Sequence, residues 1–131
     1  MFAGPSPLSI RAQDKLSAKE FQKLVQSNGP LEVDGERVYR GKEVTQRAVL
    51  DFKPEPMFTD RARKKKTEGL VEFYAVLLPS GEVKVVNVTK RLPNGLTEEA
   101  QKAAVRIRFK PALLEGKAVS QIIILQYSFN R

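Results

Sequence analysis

Two stretches of β-branched and aromatic residues, joined by four turn-forming residues, constrain the fold more than any other feature. The first stretch covers residues 70–78, the turn is Pro79-Ser80-Gly81-Glu82, and the second stretch covers residues 83–89. Strand-favouring residues on both sides of a short turn that contains Pro and Gly are typical of an antiparallel hairpin. We therefore expect a β-sheet built around this hairpin.

The segment after the hairpin has the pattern of a helix that lies close to a sheet. Thr97 is predicted to cap it, with Glu98 and Glu99 in its first turn. Lys110-Pro111 is predicted to end the helix, and a last strand is predicted over residues 119–129. Apolar residues at helical spacing and nearby aromatic residues form the predicted core: Ala100, Ala103, Ala104, Ile107, Phe109, Phe73 and Phe129.

The first 52 residues divide into two parts. Residues 1–13 show no clear period and are expected to be flexible. Residues 14–52 predict a short helix with a Ser17–Glu20 capping box, followed by short strands with a hairpin turn at Asp34-Gly35. The prolines of residues 53–56 break regular structure, and Thr59 is predicted to cap another short helix. Residues 53–131 are then expected to form the main domain.

The chain contains no cysteine and no histidine. Nucleophilic dyads that use histidine are therefore impossible, as are zinc sites built on the usual ligands. The carboxylates that remain do not come with a glycine-rich phosphate loop or a metal-ligand spacing, and helix capping already explains Glu98-Glu99. We expect a binding module without cofactor or metal, and not an enzyme. The carboxylates considered for acid–base chemistry are Glu55, Asp60, Glu98 and Glu99.

Positive charge is concentrated in the second part of the chain. The formal net charge is +8, and residues 61–66 contain five cations in six positions. Such a run is usually a solvated face, and the alternative is contact with an anion such as a wall polymer, lipid head groups or nucleic acid. Nucleic acid is the least favoured of these because no recognised binding motif occurs. The candidate anion contacts are Arg61, Arg63, Lys64, Lys65 and Lys66.

No apolar run approaches the roughly 20 residues that span a bilayer. The first seven residues also lack the basic and apolar regions of a signal peptide. The sequence is thus expected to be either cytoplasmic or a piece of a longer protein that has an export or anchor segment upstream.

Six short motifs, in this order and spacing, resemble the C-terminal domain of TonB-type energy transducers over about 60% of the chain. The pair Phe-Lys-Pro-Ala and Gly-Lys-x-Val is the most specific. The motifs are Lys53-Pro54-Glu55-Pro56 with Thr59-x-x-Ala62-Arg63, Glu68-Gly69-x-Val71, Ser80-Gly81-Glu82-Val83, Leu96-Thr97-Glu98-Glu99-Ala100, Arg108-Phe109-Lys110-Pro111-Ala112 and Glu115-Gly116-Lys117-Ala118-Val119.

The resemblance implies an α+β fold, with a three-stranded antiparallel sheet and two helices on one of its faces. It also implies a location in the Gram-negative periplasm and docking to outer-membrane transporters. Members of the family transmit force from an inner-membrane proton-channel complex and pair with a short transporter segment, the TonB box. Two family features are missing from residues 1–131: the membrane anchor with its Pro-rich spacer, and an aromatic-Pro pair, where Met57-Phe58-Thr59 stands instead. A link to the inner membrane would therefore require an upstream anchor.

The last strand is the candidate docking site. In the order strand, strand, helix, strand, it is expected at a sheet edge, where its main-chain groups are open to an added peptide strand. A proline at Ile123 is predicted to abolish such binding. The alternatives are a core strand without a docking role, or a structural role as a homodimer edge or a peptidoglycan contact. The candidate residues are Val119, Ser120, Gln121, Ile122, Ile123, Ile124, Leu125, Gln126 and Tyr127.

Overall fold

A computed structural model describes residues 8–11 and 16–130 of the chain. Most of the segment predicted to be flexible, residues 1–13, lies outside this part, but three of its residues form a strand. The helices are α1 (Ala18–Gln26), α2 (Asp60–Lys64) and α3 (Leu96–Ala104). The strands are β1 (Leu8–Ile10), β2 (Leu31–Val33), β3 (Glu36–Tyr39), β4 (Val49–Phe52), β5 (Gly69–Leu77), β6 (Val83–Lys90), β7 (Arg108–Lys110), β8 (Ala112–Leu114) and β9 (Lys117–Phe129).

Seven of these strands form the main sheet. Its order is β1-β2-β3-β9-β5-β6, and β8 pairs with the first residues of β9. The predicted hairpin is β5 and β6, and the long β9 runs antiparallel to β5 over nine positions, from Gly69↔Phe129 to Leu77↔Gln121. β3 joins β9 in parallel at only two positions. β4 and β7 form a separate two-stranded sheet.

Both faces of the sheet carry a hydrophobic core. On one face, α2 and α3 cover β5 and β9, and this main core contains Phe73, Ala100, Ala104 and Leu125. On the other face, α1 covers a second core. Its buried members are Ile10, Phe21, Leu31, Val33, Val38, Tyr74, Val76, Val86 and Ile122. Side chains alternate between the faces of a strand, so β5 and β9 supply both cores.

The predicted α+β class is confirmed, but the description of a three-stranded sheet with two helices on one face is too small. The central strands β5, β6 and β9, together with α2 and α3, match that description. The N-terminal residues add β1, β2 and β3 to the sheet and place α1 on its other face. The physical reason is that Tyr74, Val76 and Ile122 are apolar on the face opposite α3 and require a cover.

Two of the three predicted helix N-caps were correct. Ser17 and Glu20 form the capping box of α1, and the Thr59 side chain caps α2. The predicted cap of α3 was wrong: Gly95 is the N-cap residue, and the Thr97 hydroxyl instead bonds the main chain of Leu92. Helix α3 ends at Ala104 rather than at Lys110, because residues 108–110 extend to pair with β4.

Candidate functional site

The last strand is an edge strand for only part of its length. Besides its pairing with β5, β9 pairs with β8 through Val119 and, on the side away from β5, with β3 at Ser120 and Gln121. The predicted edge is therefore wrong for Ser120 and Gln121, and Val119 already has a strand partner. The candidates from Ile122 onwards have no ladder partner on the side away from β5 among the residues that the structure describes. We call this stretch, residues 122–127, the open segment.

Two hydrogen bonds show which main-chain groups of the open segment face outwards. The Gln126 carbonyl accepts a bond from the Lys53 ammonium group at 2.9 Å. The carbonyl of Glu72, which lies opposite Gln126, accepts from the Thr89 hydroxyl of β6 at 3.2 Å and so is directed away from β9. Because main-chain groups alternate in direction along an antiparallel strand, Ile122, Ile124 and Gln126 direct N–H and C=O away from β5, and those of Ile124 lie beyond the last β3 pairing at Gln121.

The same alternation directs the main chain of Ile123, Leu125 and Tyr127 towards β5. A proline at Ile123 would therefore remove a donor from the central ladder rather than from the docking edge. The predicted effect of that substitution on peptide binding was based on the wrong set of residues. Ile124 is the position that tests the open edge.

A groove of about 500 Å³ lies beside the start of the open segment. One wall is the end of α1, with Val25 and Gln26, and the floor is formed by Tyr74 and residues 121–124. The Ile124 side chain remains 49% exposed there, although its strand neighbours on both sides are more buried. The groove thus places an exposed apolar side chain next to unpaired main-chain groups.

The other wall of the groove is the loop of residues 40–48, which we call the edge loop. Arg40 is only 6% exposed, and its guanidinium bonds the carbonyls of Leu24, Val25 and Gly29 at the end of α1. Glu43 accepts a further bond from Arg40 at 3.2 Å. A cation at a helix C-terminus satisfies carbonyls that lack partners in the helix. Arg40 therefore fixes the edge loop to α1.

The edge loop is also fixed to β9. The buried Gln121 side chain accepts a hydrogen bond from the Ala48 N–H at 2.9 Å. The Arg47 Nε donates to the Gly41 carbonyl at 3.2 Å, and a Cβ atom at Gly41 would lie 3.1 Å from this guanidinium. Glycine at position 41 therefore lets Arg47 lie closely against the loop, at the mouth of the groove.

The far end of the open segment is bounded by residues 53–56. They enclose a cavity of about 170 Å³ together with Gln126, Tyr127 and Ser128. The Lys53 ammonium lies 4.4 Å from the centre of the Tyr127 ring, a cation–π contact. Burial raises the pKa of the Tyr127 hydroxyl to about 12. The pKa of Glu72 is lowered, mainly by hydrogen bonds from Gln126 and Thr89. Residues 53–56 thus limit the open segment at one end, and β3 limits it at the other.

Comparison with known proteins bears on the second half of the chain. The family model of the C-terminal domain of Gram-negative bacterial TonB proteins matches residues 54–130, more than half of the sequence. The chain belongs to the TonB C-terminal family. This is a non-catalytic, transport-related family of the Gram-negative envelope, concerned with energy transduction to outer-membrane transporters. No match was found among curated proteins.

The candidate site of this TonB-type domain comes from both parts of the chain. The open segment lies inside the matched region, whereas α1 and the edge loop lie before it. Sequence reasoning missed the edge loop, including Arg47 and the Gln121–Ala48 bond. The sequence carried no signal for them, since they depend on a contact between residues 73 positions apart. Lys53 belonged to a recognised motif, but nothing in that motif indicated its bond to Gln126.

The basic run is not brought to the open segment. It occupies α2 and the two residues after it, and Ala62 anchors it to the main core, on the sheet face opposite the groove. All five cations are exposed, and Arg63 forms a strongly exposed ion pair with Asp60 at 3.7 Å. Contact with an anion through Arg61, Arg63, Lys64, Lys65 and Lys66 stays a prediction.

Within residues 8–11 and 16–130, no group of three or more carboxylates is arranged to hold a metal ion. Within the same residues, no helix combines the length and apolar character needed to cross a membrane.

Proposed function

We propose that this TonB-type domain docks to outer-membrane transporters by accepting their TonB-box segment as an added strand on the open segment of β9. It acts as a non-catalytic module in the periplasm, without cofactor or metal, and a separate anchor segment would connect it to the inner-membrane proton-channel complex. The observation that carries the proposal is the outward direction of the Ile124 main-chain groups, which lie beyond the last β3 pairing and have no ladder partner there among the described residues.

The geometry supports a short added strand. β3 occupies the position beside β9 up to Gln121, and residues 53–56 close the other end at Gln126. About five residues lie between these limits, a length of roughly 17 Å at about 3.3 Å per residue. An extended peptide that fills this gap continues the line of β3 along the sheet. Its backbone hydrogen bonds supply affinity, and alternate side chains reach the groove.

Binding of a synthetic TonB-box peptide tests the proposal. We expect Ile124→Pro to reduce the affinity of the peptide at least tenfold, because proline removes an outward N–H and alters the strand. Ile124→Thr is the matched control, since it retains the N–H and strand propensity while it changes the side chain. Circular dichroism and thermal unfolding show whether both variants keep the fold.

A second measurement does not depend on the protein variants. A series of peptides, each N-methylated at one position, is expected to lose affinity at every second position, because only alternate residues of an added strand bond to β9. Equal binding by Ile124→Pro and the parent, or a methylation series without this alternation, would refute strand addition at this edge.

Homodimerisation through β9 is the competing use of the same edge. Among the described residues, β3 occupies the side of β9 away from β5 at Ser120 and Gln121, so a self-paired ladder over residues 122–127 would be short. Light scattering with and without peptide distinguishes the two. A dimer whose mass is unaffected by saturating peptide would favour the structural role.

A further inference from the structure

The groove wall next to the open segment is positively charged. The edge loop presents Arg47 and Lys42 at this wall, and both side chains are exposed. Neither forms an ion pair with a carboxylate in the part of the chain that the structure describes. Arg40, the third cation of the wall, differs from them because it is buried and is paired with Glu43. Two unpaired cations therefore stand beside the place where an added strand would begin or end.

The position of Arg47 is set by the fold. The Gly41 carbonyl holds its Nε, and the absence of a side chain at Gly41 leaves the space that the guanidinium occupies. The loop itself is held at both ends, by Arg40 on α1 and by the Ala48–Gln121 bond on β9. A guanidinium with a restricted position loses less freedom on binding a carboxylate than a mobile one does.

The remaining lining of the groove is apolar or neutral. Val25, Tyr74, Ile122 and Ile124 form its apolar part, and no acidic residue lines it. An added strand would place alternate side chains against this part. The residue at its end beside Gln121 would lie next to the two cations. The groove is thus complementary to an apolar strand that carries a negative charge at one end.

We propose that the edge loop selects the partner: it favours an extended segment with a carboxylate side chain at the end next to Gln121 and apolar side chains at alternate positions. This inference rests on the proposed docking function and adds a selectivity element from the edge loop, which lies outside the matched family region. Arg47 and Lys42 bind the carboxylate through charge, while the main chain of β9 binds the strand.

The test uses the full chain and four peptides with one common apolar core. In the first pair, one peptide has Asp and the other has Asn at the N-terminal end of the core. In the second pair, Asp and Asn stand at the C-terminal end. Both peptide termini are blocked, so each pair differs by one charge. We expect one Asp peptide to bind about two- to fivefold more tightly than its Asn partner at low salt, the range of an exposed ion pair. The preference is expected to decrease at high salt.

Matched variants assign the effect to the edge loop. Arg47→Gln with Lys42→Gln is expected to bring the ratio of the affinities for the Asp and Asn peptides close to one. The double substitution Arg61→Gln and Lys64→Gln also removes two positive charges, but from the opposite face of the sheet. This variant is expected to keep the preference for the Asp peptide. Its loss in that control as well would mean a general charge effect and would overturn the assignment.

The outcomes also separate this inference from the docking function. If the parent binds Asp and Asn peptides equally while Ile124→Pro binds neither, strand addition stands and the charge selectivity is wrong. If no peptide binds the parent at all, the docking function fails, and the inference fails with it.

Discussion

The side-chain oxygen of Gln121 accepts a hydrogen bond from the main-chain N–H of Ala48 at 2.9 Å, and it thereby joins the edge loop to the last strand. Gln121 also pairs with Tyr39 of β3 and with Leu77 of β5. A single buried amide thus lies where the N-terminal residues, the central hairpin and the candidate docking edge meet. The position of the groove wall depends on it.

Removal of this amide is expected to loosen the groove wall. Gln121→Ala leaves the Ala48 N–H without its partner, and we expect a loss of about 1–3 kcal/mol in the free energy of unfolding. Chemical denaturation measures the change. Gln22→Ala, at an exposed position of α1, is the control and is expected to change stability by less than about 0.5 kcal/mol. An equal effect of the two substitutions would contradict the role of Gln121.

The second core is expected to contribute strongly to stability. Phe21 is fully buried, and its ring centre lies 4.9 Å from that of Tyr74. Phe21→Ala should lower the free energy of unfolding by about 3–5 kcal/mol, as for other buried aromatic residues. Thermal unfolding measures this loss. A loss below about 1 kcal/mol would show that α1 is not packed on the sheet as described.

The buried hydroxyl of Tyr127 should make the free energy of unfolding depend on pH in the alkaline range. Burial raises its pKa in the folded protein to about 12, whereas an unfolded tyrosine has a pKa of about 10. The unfolded chain thus releases this proton first, so Tyr127 contributes stability below pH 10 that is lost as the pH rises through 12. We expect Tyr127→Phe to lose less stability than the parent between about pH 9.5 and 11.5, by denaturation at each pH. Parallel curves would show that Tyr127 does not titrate in this way.

Lys53 is expected to set the length of the added strand. Its ammonium occupies the Gln126 carbonyl, which is the last outward acceptor of the open segment. In Lys53→Met this acceptor is free, and a TonB-box peptide that is one residue longer at this end should gain about two- to tenfold in affinity from one more hydrogen bond. The parent and the control Lys64→Met should show no such gain. Isothermal titration with the two peptide lengths decides the question.

The sequence predicted the elements whose cause is local. The capping box at Ser17, the turn at Asp34-Gly35 and the β5–β6 hairpin are each determined by a few neighbouring residues, and each was correct. The family motifs predicted the core of the domain for a related reason, because their order along the chain fixes which strands and helices meet.

The parts that were missed depend on contacts between distant residues. The pairing of β3 with β9 joins Val38 to Ser120, and no periodicity within either strand indicates that partner. This pairing closed the first residues of the predicted edge and changed which positions remain open. The direction of the main-chain groups also required the register of β5 and β9, and for that reason Ile123 was predicted where Ile124 is the relevant residue.

The second core matters for any fragment that contains only the residues matched by the family model. A fragment that began at residue 54 would retain Tyr74, Val76, Val86 and Ile122 but would lose the five remaining buried side chains of that core. It would also leave the whole of β9 beyond β8 without a neighbour on one side. Such a fragment would expose a hydrophobic surface beside an unpaired strand edge, a combination that promotes aggregation. The folded unit of this chain therefore extends beyond the region that the family model matches.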